Sequence, residues 1–316
     1  MSTIGKHNWR FALAVVYLLS LAGPIQARWP WQSDRWPWNR FLRPRPATLF
    51  IAEPVKGSKR VFTRQSSELY AAINRLTKAS GQDGPCLVVV VPGWKDKGTW
   101  YKDLAAAIRD KVDRDRWICG WYDWRGQANR LGHTEATQAA RLTFGPSLGA
   151  EIVALSRQWG HVHLIGLDSG CWLINEAARV IASDTNASVH LTFLDAYIPP
   201  FWQQEELGRI NSDRCWVDHY FCREIPTQER ITLTSAHNVD LTTIEPGPAS
   251  LPFSCRWYMA TVTGNYQEQR YKDKPVHTRV GQIEYGFARS MEMGRANWDY
   301  SLKLKVGNEP VLVIAK

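Results

Sequence analysis

A chain of 316 residues, 44% hydrophobic and 22% charged, is long enough to bury the core of one large α/β domain and too apolar to be disordered. Its formal charge of +9 is unevenly placed: residues 1–27 carry +2 (Lys6 and Arg10), residues 28–46 carry +4, and +3 is left for the rest. The basicity therefore belongs to the leading segments, which argues against nucleic acid as the partner of the main domain.

In residues 1–27, Lys6 and Arg10 precede the apolar run FALAVVYLLSLAG, and Pro24 and Ala27 follow it. This is the three-part pattern of a secretory signal, and the run falls short of the ~20 residues a membrane span needs, so cleavage is expected rather than anchoring. Residues 28–46, RWPWQSDRWPWNRFLRPRP, form a Trp/Arg/Pro-rich arm whose prolines rule out a regular helix. It reads as an extended spacer whose tryptophans pack on the domain, or as a contact with an anionic envelope surface. Export, to a periplasm or beyond the cell, also fits six cysteines. Cys215, Cys222 and Cys255 are the expected bridge formers, whereas Cys119 and Cys171 are expected as buried free thiols.

From residue 47 to 316 a single domain is expected, with strands and helices alternating as in a parallel sheet covered on both faces. TLFIAEP reads as a strand, SSELYAAINRL as an amphipathic helix and CLVVVVPGW as a strand buried on both sides. WYKDLAAAIRDKV is the crossover helix, WICGWYDWRG the next strand, and TEATQAARL and GPSLGAEIVALSRQWG two further helices. In the last of these Leu148, Ile152, Leu155 and Trp159 recur at helical spacing and mark a core-facing stripe. HVHLIG and SVHLTFLDAYIPP are strands, with the helix LINEAARVIA between them, and ITLTSAHNVDLT is a later strand. Residues 200–225 and 244–290 read as irregular loops or a small cap, and LKLKVGNEPVLVIAK as a hairpin turning at Gly307 and Asn308.

The stretch HVHLIGLDSGCW carries the chemistry. Gly166 and Gly170 flank a strand-to-helix turn with Asp168 midway between them. In the hydrolase form of this turn, G-x-S-x-G, the small flanking residues let one side chain stand exposed above the sheet. Here that side chain is a carboxylate, and Ser169 sits one place too late.

Together VVVVPGWKDKGTWYKDLAAAI, GWYDWRGQA, HVHLIGLDSGCW and TFLDAY resemble, in order and spacing, the α/β-hydrolase superfamily, most closely its pancreatic-lipase-like branch. The resemblance covers residues 86–200 and implies an α/β-hydrolase fold. It also implies that Gly93 and Trp94 lie beside an oxyanion hole with donors near Trp94 and Ser169, that Asp168 takes the nucleophile position and that Asp195 is the triad acid. The family's catalytic His should fall in LTTIEPGPASLPFSCRWYMATV, which contains none. His237 is the one serious substitute, because it is expected to close a late strand near the elbow.

Other candidates have plainer explanations. His161 and His163 alternate on a strand and suit sheet packing better than metal ligation, and no metal or cofactor is expected. His219 and His277 read as solvated, and His133 as a surface residue able to reach the cleft mouth. Asp123 and Arg125 read as a structural pair. Trp94, Trp121, Trp124 and Trp172 cluster by motif position around the cleft, but burial accounts for them without a ligand.

Three readings follow. The first is a secreted lipase-like protein with a degenerate triad, non-catalytic and binding a small-molecule or lipid-like ligand or a partner in the old cleft. The second is a hydrolase in which Asp168 attacks an ester-like, epoxide or halide carbon with His237 as base and Asp195 as its orienter. The third is a cell-envelope structural protein acting through residues 28–46. The sequence leaves the oligomeric state open.

Overall fold

The computed structural model describes residues 46–55, 57–200, 202–222, 232–242, 252–263 and 287, and strand backbone at 265–271, 274–279, 301–304 and 312–315. All of them fall in one unit, Arg45–Lys316. The signal-like segment 1–27, nearly all of the arm and the hairpin turn at Gly307 and Asn308 lie outside the described residues.

In chain order the elements are β1 (Thr48–Ala52), β2 (Val61–Thr63), α1 (Ser67–Ser80), β3 (Cys86–Val91), α2 (Trp100–Arg109), β4 (Trp117–Asp123), α3 (Arg125–Ala128) and α4 (His133–Ala139). A π-helical turn (Ala140–Phe144) then leads into α5 (Gly145–Leu155). β5 (His161–Leu167), α6 (Gly170–Asp184), β6 (Ser188–Leu194), β7 (Cys215–Phe221), β8 (His237–Asp240) and α7 (Phe253–Thr263) follow, then β9 (Asn265–Tyr271), β10 (Lys274–Arg279), β11 (Ser301–Leu304) and β12 (Leu312–Ala315).

Ten strands form one mixed sheet in the order β12-β11-β8-β7-β6-β5-β3-β4-β1-β2, so the protein is of the α/β class. The run from β4 to β11 is parallel throughout, and β1, β2 and β12 pair antiparallel at the two margins. β3 is flanked by β4 on one side and β5 on the other. The chain thus changes direction across β3, and the carboxyl ends of β3 and β5 lie at a topological switch point, the place where α/β sheets commonly hold ligands.

β3 is buried at every position because helices cover both faces, as its unbroken β-branched run predicts. One apolar layer contains Val89, Val91, Leu148, Ile152, Leu164 and Ile174, and the other contains Val88, Val90, Leu104, Ile108, Ile165 and Trp257. The two helices expected around TEATQAARL and GPSLGAEIVALSRQWG are joined end to end by the π-helical turn, just ahead of Pro146, whose missing N–H interrupts the regular ladder.

Residues 200–225 are not wholly irregular, for they include β7, which is buried although it carries Asp218 and His219. Residues 244–290 include α7 and the β9/β10 pair. The expected disulfides are absent, since none of the six cysteines is bridged. Cys215 opens β7 and Cys222 follows its end, so an extended strand of roughly 20 Å holds them apart. Cys119 and Cys171 are buried thiols, as expected.

Candidate functional site at the carboxyl edge

The elbow after β5 is built by close backbone approach. A Cβ on Gly166 would lie 2.7 Å from the Gly170 carbonyl oxygen, and one on Gly170 would lie 2.8 Å from that of Pro92. With both positions glycine the turn tightens, and Asp168 takes φ +53° at its tip. For a residue with a side chain this left-handed conformation costs on the order of 1–3 kcal/mol and persists where the surroundings impose it. Gly93 completes the perch, because a Cβ there would meet the Cβ of Asp168 at 2.9 Å.

Both oxygens of Asp168 are held. Trp94 donates its backbone N–H to Oδ2 at 3.1 Å, and His133 Nε2 lies 2.8 Å from Oδ1. Since a carboxylate accepts, the imidazole is the tautomer that carries its proton on Nε2. His133 opens α4, and its ring is sandwiched between Trp94 (centroids 4.4 Å apart) and Tyr197 (3.5 Å). With both faces covered, the 27% of its side chain that stays exposed must be ring edge. Nδ1 has no hydrogen-bond partner among the described residues. Around this stack the Trp94 indole N–H donates to Leu131 O, Lys95 Nζ sits 4.3 Å over the Trp94 ring, and the Trp172 indole donates to Tyr197 O.

Ser169 is not at the tip. It is the residue before α6, fully buried, and its hydroxyl lies 2.7 Å from that of Thr137. Asp195 also has positive φ (+42°), and its carboxylate accepts hydrogen bonds from the Cys222 backbone N–H and the Ser254 hydroxyl.

His237 is a correction. It opens β8 rather than closing a strand, it is buried, and its register partners run through Asp218 and Thr192 to Ile165, below the level of the elbow. β8 lies three strands from β5, roughly 14 Å away at ordinary strand spacing, so His237 is out of reach of Asp168. His219 is corrected too, being buried in β7 rather than solvated. It accepts the Ala196 N–H at Nε2 and bonds Asn238 through Nδ1, and burial pushes its pKa down to about 4.

His133 is the candidate-site residue that sequence reasoning placed at the surface, able to reach the cleft mouth but without a role. No motif spacing connects it to residue 168, and only the course of the chain after β4 brings it to the elbow. Asp123 and Arg125 do form the expected pair, with contacts of 2.9 and 2.8 Å. The Arg125 guanidinium overcomes the effect of burial and holds the Asp123 carboxyl below its usual range. Trp124 and Trp172 are wholly buried, and Trp121 is nearly so, stacked on Phe50, which places all three in packing. An open groove of about 590 Å³ runs beside this pair, lined by Thr48, Phe50, Asp123, Arg125 and Asn129. Asp168 and His133 are not in its lining, so this groove and the imidazole-carboxylate pair are separate places on the molecule.

Among the described residues no group of His, Cys, Asp or Glu is arranged to hold a metal ion, and no helix is long and apolar enough to cross a membrane. No protein-family model matches the chain, and no curated protein is significantly similar to it.

Proposed function

We propose that this is a secreted α/β-hydrolase-like protein, of the lipase-like kind, in which the old cleft binds a small or lipid-like ligand and acyl transfer through an enzyme ester has been lost. The strand order, the elbow after β5 and the acid after β6 support the fold assignment, and the leader-like residues 1–27 support export. One observation carries the functional reading. The donor that an oxyanion hole would offer, the Trp94 N–H, is taken by Asp168 Oδ2, while the other carboxylate oxygen is tied to His133. A tetrahedral oxyanion therefore finds a negative charge where it needs a free donor.

The His133 contact also favours a second reading. With Oδ2 anchored by Trp94, Oδ1 is the oxygen that would attack an alkyl carbon, and His133 rather than His237 would then activate the water that cleaves the ester. Against it, among the described residues no carboxylate orients the imidazole through Nδ1.

One experiment separates the two. The full chain is incubated in ¹⁸O-labelled water with a panel of p-nitrophenyl esters, a terminal epoxide and a 1-haloalkane, and the elbow peptide is weighed. No turnover and no label in Asp168 are expected. Label in its carboxylate, with turnover lost in Asp168→Asn, would replace the binding reading by the nucleophile reading.

A further inference from the structure

The sheet face covered by α7 carries an uncommon row of titratable groups. His161 and His163 of β5, His190 of β6, Asp218 of β7 and His237 of β8 all project to it, by the same alternation that puts Ile165, Leu194, Tyr220 and Val239 in that apolar layer. All five are at most 2% exposed. The His163 and His190 rings stack face to face at 4.4 Å, His190 Nε2 lies 2.8 Å from Asp218 Oδ2, and Trp216 stacks on His161 and His190 at 5.3 and 5.2 Å. His163 Nε2 lies 2.8 Å from Thr192 Oγ1, which in turn faces the Tyr258 hydroxyl of α7 at 3.5 Å.

The same helix reaches the carboxyl edge, where the Ser254 hydroxyl donates to Asp195. Two residues beyond Asp195, Tyr197 forms one wall of the His133 sandwich. A continuous path thus runs from the buried histidines through α7 to the candidate site.

We propose that α7 is an acid-responsive latch: proton uptake by His161 and His163 requires the helix to leave the sheet, so acidification frees α7 and with it the Ser254 contact that fixes the Asp195 end of the site.

The physical reason is the environment of the rings. His163 and His190, stacked at contact distance, cannot both become cations without mutual repulsion, and the apolar layer offers a new charge no water. Desolvation, the neighbouring His190 and the nearby Arg116 all hold the His161 pKa down, to about 3, and burial lowers that of His163 as well. The other titratable groups facing the row are Asp218 and His237 from the sheet, Cys86 at its β3 end, and Tyr258 and Cys255 from α7. Asp218 is already matched to His190. The packed form excludes the proton and the lifted form accepts it, so each histidine raises the open fraction about tenfold for every pH unit below its ordinary pKa.

The test is hydrogen exchange of the full chain read by mass spectrometry at pH 7.5 and pH 5, after correction for intrinsic exchange. Protection of the α7 amides should fall by up to about 30-fold per participating histidine, and at pH 5 these amides should exchange faster than those of β3, which open only with the whole domain. Unchanged α7 protection, or α7 amides that at pH 5 are as protected as those of β3, overturns the proposal. His163→Gln should weaken the pH response of α7, and a variant that folds and keeps the full response also overturns it. If His163→Gln does not fold, Tyr258→Phe leaves every histidine in place and should lower α7 protection at both pH values, and unaltered protection there counts against the latch.

Discussion

Nε2 of His133 and Oδ1 of Asp168 are 2.8 Å apart although 35 residues separate them in the chain. This contact makes the elbow carboxylate half of an imidazole-carboxylate pair, with its second oxygen on the Trp94 amide.

Because the other described histidines are buried, diethyl pyrocarbonate at pH 7 should modify His133 ahead of His161, His163, His190, His219 and His237. Asp168→Asn should alter that rate several-fold, since the hydrogen bond selects which ring nitrogen is free. Peptide mapping that finds His133 protected while a sheet histidine reacts would contradict the geometry.

Ser169→Ala should cost only about 1 kcal/mol, the ordinary worth of its hydrogen bond to Thr137, as chemical denaturation would show. A fluorophosphonate probe should not label the chain. Labelling at Ser169 would mean that a working seryl site exists after all.

Gly93→Ala should lower the thermal midpoint, by an amount equivalent to about 1–3 kcal/mol, because its methyl group would press on Asp168 Cβ at 2.9 Å and on the Leu167 carbonyl at 3.1 Å. Chemical denaturation measures this directly. A neutral effect would show that the perch can shift without cost.

Asp218→Ala should destabilise by about 3–5 kcal/mol, because it strands His190 in a fully buried layer. His190→Phe combined with Asp218→Leu should recover part of that loss, and a double variant weaker than the single would count against a desolvation origin.

Acid should weaken the whole domain through His219, independently of α7. Its pKa is depressed from 6.5 to about 4, so the folded state binds fewer protons than the unfolded chain between those values. The stabilisation is complete above pH 6.5 and is lost as pH falls towards 4, and it amounts to roughly 3 kcal/mol. Urea titrations at pH 7 and pH 4.5 check the sign, and in His219→Gln the slope should flatten.

Local pattern was enough to read β3, the helix periodicity of α1, α2, α5 and α6, and the elbow with Asp168 at its tip. In each, the side chains or glycines that define the element lie within a few residues of one another. β7 falls in the stretch that reads as irregular from sequence, with His219 as a solvated residue, and only the neighbouring segments supply His190, Asn238 and the Ala196 amide that satisfy Asp218 and His219. His237 was placed near the elbow by analogy of order, and the strand register moved it below the edge. His133 was passed over for the converse reason: a histidine gains a function from what it touches, and Trp94, Asp168 and Tyr197 reach it from three separate segments. The sequence by itself determined the parallel α/β framework and which residue stands on the turn, since both follow from short-range periodicity and steric demand. The tertiary structure alone decided the partner of that residue, because hydrogen bonding across 35 residues of chain depends on where the helices after β4 come to rest on the sheet.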